Sequence, residues 1–433
     1  MDALFEKAYE AFKLYPMARM IHLPLYQSCG IVKRIAYRAK VREPKPEDKE
    51  IISWERFMSG MRTTVPTVKK DLHTCAVIGH TGGTTGTPKG VMLSDYGLNA
   101  IPAQCGAFFG HSRQEKLLDL IVPHATYSIA VCILIPLALG LTDILIPRVD
   151  PETVDQLIMK NKPNYIPSIP LYWRSVIDSK VIRHIPFLKW ASCGGAGFSE
   201  SQIEALNQTF TKADAKTSLM MGYGLTEVCA LACVQSKRIY EMGSVGISLP
   251  KNSISVFDKD TLTEKKYNEL GEICIQSPSV MLGYVRNEIE TKEMLRTHPD
   301  GSVWVHTGDI GYVNENGSVF IKGRIKRIYL TIKNNIHGKI FPDRIEKLLI
   351  QHPSVSDCCV VCVPGEKDVN IPVAYCESNC VSENTEAELF SLCKEELPEY
   401  SIPVRFIFLP ALPRTSMGKV DYRALEERAA KEA

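Results

Sequence analysis

The stretch that most restricts what this chain can fold into is HTGGTTGTPKGVMLS, residues 80–94. It holds four glycines, five hydroxyl side chains and one lysine, and it follows an apolar run at residues 75–78. That composition suits a strand running into a tight loop that closes around a polyanion. Gly82, Gly83, Gly86 and Gly90 permit positive φ angles and close backbone approach, so amide N–H groups can converge on phosphate oxygens. Thr81, Thr84, Thr85 and Thr87 add hydroxyl donors, and Lys89 adds a point charge. The loop is not a Walker A sequence: Pro88 precedes Lys89 and Gly90 follows it, where Gly-Lys-Ser/Thr would run in direct succession. A flexible surface turn would share the glycines. The hydroxyl density and the lysine at the exit favour phosphate.

At 433 residues the chain exceeds what one hydrophobic core serves, so two or three structural units are expected. From the loop to about residue 230, helix-like and strand-like segments alternate at residues 116–122, 129–139, 143–147, 154–159, 171–177 and 200–210. Alternation of this kind predicts an α/β fold with a largely parallel sheet. Residues 129–141 are apolar but contain Pro136 and Gly140, and they fall short of the ~20 residues of a bilayer span. A buried helix and no membrane span are predicted there. Residues 1–15 have a helical apolar face with Asp2, Glu6 and Glu10 rather than a signal peptide, and helical spacing returns at residues 51–61.

From residue 243 the texture changes to short strand-like runs at residues 253–257, 272–276, 303–306, 311–314 and 319–322. After Gly323-Arg324, helices at 342–350, 386–396 and 422–431 mix with strands at 358–363, 372–376 and 404–408. The predicted domains are therefore two. Residues 1–324 make a large N-terminal domain with mostly parallel sheets and a small β subdomain at about 243–324, and residues 325–433 a smaller α+β C-terminal domain.

A net charge of +2 gives no electrostatic case for nucleic acid or a membrane surface. Cysteine is abundant, with 14 residues, but it is scattered through apolar runs. Cys358, Cys359 and Cys362 form a CCxxC whose only loose partners for a metal are Cys376 and Cys380. Alternation with valines reads instead as a buried strand with cysteine as a small hydrophobe, and a reducing cytoplasm is the expected home.

Four further segments carry chemistry. In MGYGLTE, residues 221–227, the ring of Tyr223 between two glycines can lie against a base, Thr226 can reach a phosphate, and Glu227 can hold Mg²⁺. A turn at a strand end is the plainer reading of that segment alone. ASCGGAG, residues 191–197, is a second cluster allowing backbone to approach a ligand face. HTGDIG, residues 306–311, ends a strand and places Asp309 at a turn, where a carboxylate can accept from two ribose hydroxyls or merely cap an Asx turn. LPRTSMGKVD, residues 412–421, presents Lys419, on its own an ordinary exposed lysine.

Together these describe an ATP site closed by a second domain. TGGTTGTPKG, GGAG, GYGLTE, HTGDIG with GSVFIKGR, FPDRIE and LPRTSMGK, in that order, resemble the adenylate-forming superfamily of acyl-CoA synthetases, peptide-synthetase adenylation domains and beetle luciferases. The resemblance runs from about residue 50 to the end and is strongest to an acyl-CoA synthetase. It implies two half-reactions: a carboxylic acid and Mg·ATP give an acyl-adenylate and pyrophosphate, then a thiol, usually of coenzyme A, takes the acyl group. It implies Thr81, Gly82, Gly83, Thr84, Thr85, Gly86 and Lys89 around the β- and γ-phosphates, and Gly194, Gly195 and Ala196 along the adenine and acyl pocket. Tyr223 would lie near adenine, with Met221, Gly222 and Gly224 in the same nucleotide site. Thr226 would meet the α-phosphate, Glu227 Mg²⁺, Asp309 and Arg324 the ribose, and Lys419 both acyl carboxylate and α-phosphate. The C-terminal domain is similar to a rotating lid, with Lys326 at its pivot. In PHATYS, residues 123–128, either His124 or Tyr127 answers to the family's ring beside the acyl carboxylate.

Two departures accompany the resemblance. Only residues 1–79 precede the phosphate loop, fewer than the family usually has, so the early part of the large domain is expected to be absent. Between Arg324 and Pro342 lie 17 residues, more than the family pattern, with a glycine displaced to Gly338 in a loop expected to line the thiol channel. Two other functions stay open: activation of an amino or aryl acid for a carrier-protein thiol, and nucleotide binding with lapsed catalysis. The pattern is compatible with a homo-oligomer.

Overall fold

The computed structural model describes residues 2–14, 20–23, 30–40, 51–59, 69–81, 89–146, 149–177, 179–327, 329–333, 336–365, 370–378, 380–415 and 419–432. Residues 1–70 and 71–433 form two compact units. In the first, the predicted N-terminal helix spans Asp2–Leu14, and a parallel pair joins Met20–His22 to Ile51–Ser53. The helix expected over 51–61 is corrected at its start. Ile51 and Ile52 are β-branched and pair as strand, and the helix begins only at Trp54.

The second unit is built on a seven-stranded sheet in the order Thr142–Leu145, Lys116–Asp119, Tyr165–Ser168, Trp190–Cys193, Leu219–Tyr223, Cys233–Val234, Ile247–Ser248. The first five run parallel and the last two antiparallel. Every residue of Tyr165–Ser168 is buried, as a parallel strand covered on both faces requires. Helix Glu200–Lys212 starts at a reciprocal cap in which Ser199 and Gln202 each bond the other's backbone, and it lays Ile203, Leu206 and Phe210 on the sheet. The buried helix predicted around residue 130 is present, wound as a π-helix over Ser128–Leu134 before the α-helix Ile135–Leu139 and a left-handed stop at Gly140. Among the described residues no helix is long and apolar enough to cross a membrane.

A smaller antiparallel sheet brings together Cys75–His80, Gly90–Ser94 and Gly283–Tyr284. The β subdomain pairs Ser253–Phe257, Gly271–Gln276, Val303–Val313, Leu295–Thr297 and Val319–Arg324. Here the sequence reading is corrected. Residues 303–306 and 311–314 belong to one continuous strand, Val303–Val313, so Asp309 stands inside a strand rather than at a turn. Gly308, at φ +71°, and a register shift at Ile310/Gly311 bend that strand without ending it.

Beyond residue 328 the chain forms the hairpin Tyr329–Lys333/Ile336–Ile340, then a sheet of Asp357–Pro364, Asn370–Glu377 and Arg405–Leu409 with helices Pro342–Leu349, Thr385–Glu396 and Tyr422–Glu432. The molecule is thus mixed α/β, with a large N-terminal domain and a separate C-terminal one carrying its own core. The long insertion is the hairpin, and the ring of Tyr400 covers Gly338, where a Cβ would fall 2.6 Å from the ring. Cys358, Cys359 and Cys362 sit buried in strand Asp357–Pro364, and Cys358 faces Cys376 across it with sulfurs 3.9 Å apart. Burial pushes the Cys362 thiol up to about 12, the behaviour of a packed hydrophobe rather than a ligand.

Candidate active site

A cavity of about 810 Å³ opens where the sheet strands end at their carboxyl termini, the crevice that parallel sheets leave for ligands. Two strand ends form its floor. Gly194 follows Trp190–Cys193, and a Cβ there would lie 3.3 Å from the carbonyl oxygen of Gly222 on the neighbouring strand. Gly224 is tighter still: a Cβ would fall 2.0 Å from the Ala230 carbonyl oxygen. Only glycine lets the chain double back here. The turn Thr226–Val228 follows at once, and Cys229 and Ala230 then take left-handed φ angles of 53° and 83°. Strained non-glycine backbone is held only where surrounding contacts dictate it, and here it sets Thr226 and Glu227 into the cavity.

Strand Cys75–His80 delivers the glycine–threonine loop. Lys89 closes its base: the Thr81 amide donates to the Lys89 carbonyl at 3.1 Å, and the Lys89 amide to Thr81 Oγ1 at 3.3 Å. Both residues line the cavity. Gly82, Gly83, Thr84, Thr85 and Gly86 lie outside the described residues. Lys89 Nζ pairs with Glu290 Oε2 at 2.9 Å and lies 4.8 Å from the centre of the Tyr284 ring. Tyr284 in turn donates its hydroxyl to Glu227 Oε1 at 2.6 Å. Burial together with Glu227 holds that phenol above its ordinary range, so it stays a donor.

On the opposite wall Asp309 accepts from the Tyr223 hydroxyl at 2.5 Å and from Arg324 Nε at 2.8 Å. Asp309 and Arg324 are cross-strand partners, so sheet register alone places the guanidinium beside the carboxylate. Burial raises the Asp309 carboxyl while Arg324 pulls it back down. The bend before it is fixed from behind: the Gly308 amide donates to Glu272 Oε1 at 3.0 Å. Glu272 Oε2 lies 2.8 Å from His306 Nδ1, and His306 Nε2 lies 3.0 Å from His298 Nε2. With Nδ1–H spent on Glu272, a neutral His306 offers Nε2 as acceptor to His298. Glu272, Cys274 and His306 have ligand atoms within 4.8 Å of one another, but these contacts already occupy them.

Lys419 lines the same cavity from the C-terminal domain. Its side chain is exposed, yet the protein crowded around its ammonium, and then Arg324, hold it below the ordinary lysine range against the pull of Asp309 and Glu227. The Thr415 amide donates to the Lys419 carbonyl at 2.8 Å.

Gly194, Gly195, Gly222, Tyr223, Gly224, Thr226, Glu227, Arg324 and Lys419 line this one space, with Asp309 directly behind Tyr223 and Arg324. Three expected residues do not. Met221 is buried in the core with its amide on Gln235 Oε1, and Ala196 is exposed outside the lining. His124 is also exposed and outside the lining, in the turn before the helix, whereas Tyr127, three residues further on, reaches it. The side chain of Lys326 lies outside the described residues. Tyr284, Glu290 and Glu272 are not read from the sequence because they reach the site from strands and helices 180 or more residues beyond Lys89. Strand pairing of Tyr284 with Val91 brings the first of them to the loop, and no local sequence pattern marks it.

The far limb of the cavity is apolar, lined by Phe109, Val131, Ile135, Leu139, Leu141 and Trp190. Phe109 and Trp190 pack with ring centres 4.1 Å apart.

The family described as AMP-binding enzyme matches residues 22–285, and that described as AMP-binding enzyme C-terminal domain matches residues 344–419. The chain is 28% identical over 438 residues to a long-chain-fatty-acid–CoA ligase of Bacillus subtilis (strain 168), spanning 99% of this chain and 76% of that one. It is 28% identical over 431 residues to 4-coumarate–CoA ligase 2 of Petroselinum crispum, spanning 95% and 76%. ATP-bound MatB from Rhodopseudomonas palustris has a similar fold, with TM-score 0.79 and 23% identity over 98% of this chain and 81% of that one.

Proposed function

This chain belongs to the AMP-binding enzyme family, and from that premise we propose that it is an AMP-forming acid–thiol ligase of the acyl-CoA synthetase kind. What carries the reading is one cavity with two chemistries. Lys89, Thr226, Glu227, Arg324 and Lys419 line one end, and an apolar limb leads away from it. A nucleotide triphosphate and an apolar carboxylic acid fill those ends with their reacting atoms meeting between them.

In the first half-reaction a carboxylate oxygen of the acid bonds to the α-phosphorus of ATP, and the bond from that phosphorus to the β-phosphate bridging oxygen breaks. Pyrophosphate leaves with the electron pair. Negative charge grows on the α- and β-phosphates, so fixed donors and cations matter more than a protein nucleophile. Lys419 meets the attacking carboxylate and the α-phosphate, Thr226 donates to the latter, and Thr81 and Lys89 hold the outer phosphates. Tyr223 faces the adenine, with its hydroxyl on Asp309, while Asp309 and Arg324 bind the ribose. Glu227, which lines this end of the cavity, offers a hard carboxylate oxygen of the kind Mg²⁺ prefers; it would hold that ion, which would supply charge neutralisation. In the second half-reaction a thiolate sulfur bonds to the acyl carbon, the carbon–oxygen bond to AMP breaks, and the thiol proton passes to solvent. Coenzyme A is the proposed thiol.

The test is ATP–pyrophosphate exchange with straight-chain and aryl acids, then product mass with coenzyme A or a phosphopantetheinylated carrier protein. Exchange with an apolar acid and an acyl-CoA product are expected. Tight ATP binding with no exchange for any acid would overturn the ligase reading, and acylation of the carrier alone would replace the acceptor.

A further inference from the structure

Among the described residues, one contact between the two domains away from the cavity is a cluster of four charges. Asp357 and Glu377 are directly opposed on neighbouring antiparallel strands of the C-terminal sheet, an arrangement that sets like charges side by side. Arg414 answers one of them from the same domain, with Nη2 2.7 Å from Asp357 Oδ2 and 3.2 Å from Glu377 Oε2. The second counter-charge comes from the N-terminal domain: Arg174 places Nη2 2.9 Å from Asp357 Oδ2 and Nη1 3.4 Å from Glu377 Oε1. All four side chains are mostly shielded from water, between 14% and 27% exposed. Without Arg174 the cluster carries an uncompensated negative charge.

Both ends of this bridge are anchored. Arg174 follows helix Pro170–Trp173, whose Trp173 is fully buried and donates Nε1–H to the Ser192 carbonyl at 3.1 Å. Glu377 Oε2 also accepts from the Leu412 amide at 2.9 Å, and Arg414 forms an antiparallel bridge with Val420, the residue after Lys419. The path from Arg174 to the lysine thus runs through two carboxylates, Arg414 and its bridge to Val420.

We propose that Arg174 is a positioning residue for adenylation: its guanidinium holds the C-terminal domain in the orientation that sets Lys419 over the cavity. Its kinetic consequence rests on the ligase reading above, while its effect on domain placement does not. In the wild type, the pairing favours the Lys419-in arrangement and weakens with salt, because partly exposed charges are screened. Releasing it favours arrangements in which the C-terminal domain has left.

Among the described residues Cys75 and Cys380 are the exposed cysteines, one on each domain. With Cys29→Ser, donor and acceptor dyes on this pair report domain placement by energy transfer. Arg174→Ala, and independently Asp357→Asn, should broaden the distance distribution and remove its salt dependence. Arg174→Ala should also lower pyrophosphate exchange about five- to tenfold while leaving thiol transfer from supplied acyl-adenylate unchanged. An unchanged distance distribution in both variants overturns the proposal, as does an equal loss in both half-reactions. Absence of exchange in the wild type refutes the ligase reading instead, and the distance measurement still decides the role of Arg174.

Discussion

The two ends of the cavity are built on different principles. At the polar end a few side chains on strand ends each hold a fixed partner: Tyr223 and Arg324 on Asp309, Tyr284 on Glu227, Lys89 on Glu290. At the apolar end many side chains share one surface, and no single contact defines it. Preorganised charge works through particular atoms, whereas dispersion and burial work through summed area. Losing one group should therefore be severe at the first end and graded at the second.

The largest effect expected is at Lys419. Lys419→Ala should lower the adenylation rate about 100-fold or more, with a much smaller loss in thiol transfer from supplied acyl-adenylate. Separate assays of the two half-reactions check it, and equal losses would erase the contrast between the ends.

A change of pH sharpens the same contrast. Crowding and Arg324 lower the Lys419 ammonium, so the charged form is present at low pH and lost as pH rises through that lowered value. The alkaline limb of kcat/KM for adenylation should fall at a pH below the ordinary lysine value of about 10.4. Acid binding at the apolar limb, followed by fluorescence, should show no such limb.

The smallest effect belongs to Ile135, which is 8% exposed and lines the limb. Ile135→Ala should raise KM several-fold for the acid that best fits the wild type and shift preference toward bulkier acids. KM for ATP should stay unchanged, at a stability cost of about 2 kcal/mol measured by urea unfolding. A loss confined to ATP would show that the ends are not separate.

The same division decides what could be read in the sequence. Most residues of the polar end stand in short runs where glycine, hydroxyl and charge sit together, as Thr81 and Lys89 do in one and residues 222–227 in another. The α/β alternation was legible because continuous buried strands such as Tyr165–Ser168 leave an unbroken apolar mark. Asp309 was identified as a residue but misplaced: glycines at 308 and 311 look like turn residues, and only pairing with Val319–Arg324 shows that the strand continues. His124 and Tyr127 could not be separated by spacing, since the turn that leads into the helix decides which ring faces inward. Tyr284 and Glu290 were invisible because long-range pairing, not local pattern, brings them to Lys89.

That pairing has a consequence for turnover. On the ligase reading proposed above, Lys89 already holds an anion in Glu290, so an incoming triphosphate would displace a resident carboxylate rather than occupy a vacant cation. Its affinity is the difference between two rival attachments and is lower than a lone lysine would give. On the way out the rivalry would reverse: the waiting glutamate would reclaim the amine and help evict the departing pyrophosphate.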